Sequence, residues 1–123
     1  MDRQEELEKL YFELASESRL SILRELENGP FKMHELVRKI KLTDTEAFRQ
    51  LRRLTEAKLV EKLPDGTHRL TPYARLIKDV CSPIEFISMH REYFLDHDVF
   101  LLPHEFRCRL GDLSGCEYIP TTA

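Results

Sequence analysis

The sequence predicts a mainly α-helical fold interrupted by one small β-hairpin, and three observations carry that prediction. Apolar residues recur at helical spacing through most of the 123 residues. Helix-start residues stand at Ser16, Thr43 and Thr71, each just before such a pattern. A strong turn signal, Pro64-Asp65-Gly66, separates two short strand-like runs at residues 60–63 and 67–70.

Taken in order, residues 3–15 read as a first helix with Leu7, Leu10, Tyr11 and Leu14 on one stripe. Ser16 caps a second helix that carries Leu20, Ile22, Leu23 and Leu26 and stops at Asn28-Gly29. Pro30 forces an extended turn, and Phe31 starts a short strand. A third helix, residues 33–40, is buried through Met33, Leu36, Val37 and Ile40. Thr43-Asp44-Thr45-Glu46 spells a capping box, in which Thr43 accepts the Glu46 amide and Glu46 reaches back to Thr43. The fourth helix therefore starts at Asp44 and buries Ala47, Leu51 and Leu54. After the hairpin, Thr71 caps a helix opened by Pro72. Ser82-Pro83-Ile84-Glu85 repeats that pattern, so the apolar stretch 72–96 is expected to be two helices joined at Ser82.

Composition places the chain among globular proteins, with 41% hydrophobic and 33% charged residues. No run of 18 apolar residues exists, and the start MDRQEELEKL lacks the apolar stretch of a signal peptide. A cytoplasmic protein is expected. Cys81, Cys108 and Cys116 are odd in number and form no CxxC pair, which fits free, reduced thiols. The net charge is −3, but residues 31–69 hold ten Lys/Arg against six Asp/Glu, or +4, leaving −7 on the rest. A local basic patch matters more to a phosphate backbone than the total does.

Two helices joined by a short turn, the second capped and basic, followed by a hairpin, is the order of a winged helix-turn-helix. The major groove of B-DNA admits one helix, propped by the helix before it. Such a helix needs an apolar stripe to anchor it and a polar stripe to read bases. With Ala47, Leu51 and Leu54 inside, Thr45, Arg49, Gln50, Arg52 and Arg53 are left outside. Arginine pairs bidentately with guanine and glutamine with adenine. Asp44, Thr45 and Arg49, near the helix start, are expected at the base edges, and Arg52 and Arg53 at phosphates; Thr43 and Gln50 complete the expected DNA-binding set. Phe48 can complete the core or touch a thymine methyl, and the core is its expected place. In the wing, Lys62, Thr67 and Arg69 suit a phosphate or the minor groove, whereas His68 is expected in solvent.

Residues 14–77, with SxxRLxIL in the second helix, RQLRRLTEAKLV running into the wing and HRLTPYARL leaving it, resemble the winged-helix domains of ArsR- and MarR-type prokaryotic transcription regulators. ArsR-type domains usually carry Gly where this chain has Lys58, so a less sharply turned helix end is expected there. Residues 84–119, IEFISMHREYFLDHDVFLLPHEFRCRLGDLSGCEYI, are similar to the linker region of archaeal regulators of the methanogen filamentation-regulator type. The resemblance implies an archaeal, sequence-specific DNA-binding regulator. It also implies a separate effector domain beyond the linker, near whose expected start this chain stops; any small-molecule effector stays open.

Two regions are expected, a DNA-binding domain over residues 1–71 and a helical dimerisation or linker region over 72–123 packed on the same domain. Tyr73, Ile77, Val80, Ile84, Ile87 and Phe94 follow alternating steps of four and three, broken only by Arg91 at the expected apolar place, a seam for helix-on-helix packing. It fits either the first helix or, preferably, a two-fold homodimer that would set two reading helices one DNA turn apart. His90, His97 and His104 recur every seven residues near the cysteines, but Pro103 interrupts them and no pair has closed zinc spacing. Neither a metal site nor a cofactor is expected. No phosphate loop, GxSxG or HExxH is present, so no enzyme is expected. The competing reading is a winged helix used for protein–protein contact in a transcription or chromatin assembly.

Overall fold

The computed structural model describes residues 2–113. The elements are α1 (Arg3–Leu14), α2 (Glu17–Leu26), α3 (Met33–Ile40), α4 (Asp44–Glu56), β1 (Val60–Lys62), β2 (His68–Leu70), α5 (Pro72–Met89), α6 (Arg91–Asp96) and α7 (His104–Cys108), with 3-10 turns at Val99–Leu101 and Leu110–Leu113. The chain is mainly helical with one antiparallel hairpin, the winged helix-turn-helix class. Two compact units divide it, Met1–Arg75 and Leu76–Ala123, with the division inside α5. Among the described residues no helix is long and apolar enough to cross a membrane.

In the first unit the core gathers Ile22 and Leu26 of α2, Leu36 of α3, Ala47, Leu51 and Leu54 of α4, and Leu59, Val60 and Leu70 of the wing. Local chemistry sets the elements around it. The Ser16 hydroxyl accepts the Arg19 amide and starts α2. Lys41, in a left-handed conformation, ends α3 and opens the tight turn to α4. Thr43 Oγ1 accepts the Glu46 amide at 3.1 Å. The reciprocal half of the capping box is not formed: Glu46 turns its carboxylate along α4, to Arg49 and Gln50.

The C-terminal end of α4 departs from expectation. Lys58 adopts φ 65, and the Leu59 amide reaches the Leu54 carbonyl while the Lys58 amide reaches that of Thr55. This is a Schellman closure, so the helix turns as sharply as a glycine would allow, with a lysine in a left-handed conformation. In the wing, Val60 pairs with Leu70, Glu61 with Arg69 and Lys62 with His68. Phe31 adds a bridge to His68, the short strand expected there. Asp65 Oδ1 accepts both the amide and the hydroxyl of Thr67 and fixes the tip. The Thr71 hydroxyl donates to the Lys58 carbonyl and accepts the Ala74 amide, joining the end of α4 to the start of α5.

The α1 stripe is not buried: Leu7 and Tyr11 are exposed. The expected break at Ser82 is also absent. α5 runs through Pro83, which costs one backbone bond. The apolar spacing of Val80, Ile84 and Ile87 continues the helical period across it.

In the second unit Phe86, His90, Tyr93, Phe94 and His97 make a chain of ring contacts, with Tyr93 and His97 stacked at 4.1 Å. The His97 amide closes α6 on the Tyr93 carbonyl, and Asp98 caps the turn after it. Cys81 is half-buried and Cys108 exposed, both free; Cys116 lies outside the described residues. Among the described residues no three His, Cys, Asp or Glu side chains are grouped to hold a metal ion.

Candidate nucleic-acid interface

Helix α4 divides as its spacing requires. Ala47, Leu51 and Leu54 are buried, and Thr45, Phe48, Arg49 and Arg52 are exposed. The exposed four stand at i, i+3, i+4 and i+7, one continuous outward stripe. Thr43 and Asp44 are also exposed at the helix start. The side chains of Arg49 and Arg52 are both about two-thirds exposed, each held along the helix by a glutamate, Glu46 and Glu56.

Gln50 corrects the sequence reading. It is buried, not outside: its Oε1 accepts Arg19 Nη1 at 2.9 Å, and its Nε2 donates to Glu46 at 2.8 Å. The reason lies in Arg19, which is only 5% exposed. Its guanidinium caps the end of α1 through the carbonyls of Glu13 (2.6 Å) and Phe12 (3.0 Å) and pairs with the Glu13 carboxylate at 3.3 Å. A buried cation requires such a complete set of acceptors, and Gln50 supplies one.

Arg53 is likewise tied inward. It grips Glu13 with two nitrogens, at 2.8 and 3.3 Å, and lies over the Phe12 ring at 5.3 Å. The Glu13 carboxylate raises its pKa. Arg53 is therefore half-exposed at the edge of the outward stripe, not in it. Phe48 is corrected in the opposite direction: at 60% exposure it is on the surface rather than in the core.

In the wing, Lys62 is exposed and Arg69, half-exposed, pairs with its cross-strand neighbour Glu61 at 2.6 Å. The Thr67 hydroxyl is committed to Asp65. His68 is half-buried rather than in solvent, and its Nδ1 is buried without a hydrogen-bond partner. Burial, then the charge of Lys62, lowers its pKa, against a hydrogen bond with Phe31.

The expected seam is mostly uncovered. Tyr73, Val80, Ile84 and Ile87 are exposed, Val80 by 66%, whereas Ile77 and Phe94 are half-buried. Tyr73 shares an open cleft with Leu10 and Phe12 of α1 and with Arg53. Sequence reasoning met Arg19 only as the arginine of SxxRLxIL and gave it no structural role; the signal was an arginine on the face that carries Ile22, Leu23 and Leu26.

Residues 16–62 match the family model described as bacterial regulatory protein, arsR family. That segment runs from the cap of α2 to the end of β1. No curated protein matches the chain. Among solved structures, the transcriptional repressor BigR from Xylella fastidiosa is similar, with a TM-score of 0.57 and 27% identity over 65% of this chain and 84% of that one. The chain is thus a winged helix-turn-helix whose segment 16–62 matches the arsR-family model, set in a longer, mainly helical architecture.

Proposed function

We propose that the chain is a sequence-specific DNA-binding transcriptional regulator that acts as a homodimer on a pseudo-palindromic site. The observation that carries this is the outward stripe of α4, which keeps Thr45, Arg49 and Arg52 exposed while the opposite face is anchored in the core. The likeness of residues 16–62 to arsR-family regulators, and of the fold to a transcriptional repressor, supports it. In this reading the part up to residue 71 reads DNA. Thr43, Asp44, Thr45 and Arg49 meet bases; Arg52, Lys62 and Arg69 meet phosphates, while Thr67, held by Asp65, fixes the wing tip between them. Arg53, at the stripe's edge, braces the helix.

The part from residue 72 onward dimerises through Tyr73, Val80, Ile84 and Ile87, flanked by Ile77 and Phe94. So many exposed apolar side chains on one helix favour a partner surface over solvent. A transcriptional rather than enzymatic role follows from the same likenesses, and the archaeal kinship rests on residues 84–119.

One observation favours the competing protein–protein reading: Arg49, Arg52, Arg53 and Arg69 each already hold a glutamate. Apart from Arg53, whose partner Glu13 is largely buried, these are exposed pairs that contribute only about 0–1 kcal/mol each, less than a phosphate offers in exchange. DNA therefore remains the better partner. Selection of bound sequences from a random duplex pool tests the proposal. The expected result is an enriched motif with two half-sites about one helical turn apart; an unenriched pool contradicts it.

A further inference from the structure

Phe48 has no role in the core, yet it occupies the middle of the α4 stripe that carries Thr45, Arg49 and Arg52. A single exposed aromatic ring is ordinary and by itself means nothing. Its position is the second observation. It stands three residues after Thr45 and one before Arg49, so it enters whatever groove those residues enter. The major groove presents donors and acceptors at every base pair and one apolar feature, the C5-methyl of thymine. A ring amid polar base edges has no other apolar partner there.

We propose that Phe48 is a specificity-determining residue that packs on the C5-methyl of a thymine in each half-site, beside the base that Arg49 reads. This deepens the DNA-binding reading and rests on it. The burial of Gln50 sharpens the assignment: the amide expected to read a base is engaged by Arg19 and Glu46, leaving Phe48 and Arg49 as the central outward pair.

Removing the methyl alone tests this. The duplex enriched from the random pool is remade with deoxyuridine in place of each thymine in turn, which preserves every hydrogen bond. For the unaltered protein, one thymine position is expected to lose about four-fold in affinity, the worth of one buried methyl. Substitution in both half-sites is expected to lose roughly fifteen-fold, the square of that factor. Phe48→Ala is expected to bind thymine and uracil duplexes alike, with an unchanged thermal midpoint because the ring is exposed. A motif whose thymines are all replaceable without loss, or discrimination that survives in Phe48→Ala, overturns the assignment and leaves DNA binding intact. A pool that yields no motif overturns both together.

Discussion

Arg19 and Gln50 meet at 2.9 Å inside the first unit, so a guanidinium from α2 holds the middle of α4. The same guanidinium takes two carbonyls from the end of α1. The direction in which α4 presents its outward stripe is thus set from behind by a polar node. Arg19→Met would leave Glu13 and Gln50 short of a donor. It is expected to lower stability by about 3 kcal/mol, read as a shift of the urea midpoint. In a double-mutant cycle with Gln50→Ala the two losses should fall short of additivity by roughly 1 kcal/mol; simple additivity would show that the two do not cooperate.

Lys58 closes α4 in a left-handed conformation that costs a side-chain-bearing residue energy and glycine almost none. Part of that gain is offset because glycine also frees the unfolded chain. Lys58→Gly is therefore expected to stabilise by roughly 0.5–1 kcal/mol. A lowered thermal midpoint would count against a strained closure.

The His68 imidazole is held below its ordinary pKa of about 6.5, chiefly by burial and then by Lys62. The folded state favours the neutral ring. Below pH 6.5 or so the unfolded chain binds a proton that the folded chain resists, so stability is full above that pH and falls as the pH drops through it. Comparing urea midpoints of the wild type and His68→Gln between pH 8 and pH 5 isolates this share. The wild type should lose more; parallel losses would remove His68 from the account.

Arg49 and Arg52 should separate in their effects on DNA. Arg49→Ala is expected to relax base preference at one position of each half-site, costing about 1–3 kcal/mol there. Arg52→Ala should weaken all sequences alike and reduce the salt slope by about two, one for each copy. Identical specificity profiles for the two variants would refute the division between base and phosphate contacts.

Much of the fold was legible because its signals are local. Ser16, Thr43 and Thr71 cap helices within three residues of themselves, and Pro64-Asp65-Gly66 makes its own turn. The errors at the site came from partners far away in sequence. Gln50 is buried by an arginine 31 positions earlier, and Arg53 is drawn to a glutamate 40 positions earlier. Helical spacing leaves Arg53 outside, and no periodicity encodes its tertiary ion pair; Gln50, at i, i+3, i+4 and i+7 with Ala47, Leu51 and Leu54, stands on the buried face by spacing, and its polarity alone placed it outside. Phe48 failed for the converse reason: hydrophobicity alone favoured the core, while its spacing from Ala47 and Leu51 put it on the opposite edge. Pro83 misled because a proline after a serine reads as a helix start, whereas the apolar period on either side of it was already continuous.

In the proposed complex the outward side of α4 and the wing neutralise phosphates. The affinity for the selected duplex as a function of salt tests it most directly. With Arg52, Lys62 and Arg69 from each of two copies engaged, the logarithm of the binding constant should fall linearly with the logarithm of salt, with a slope of about −5. A binding constant indifferent to salt would mean that this face meets something other than a phosphate backbone.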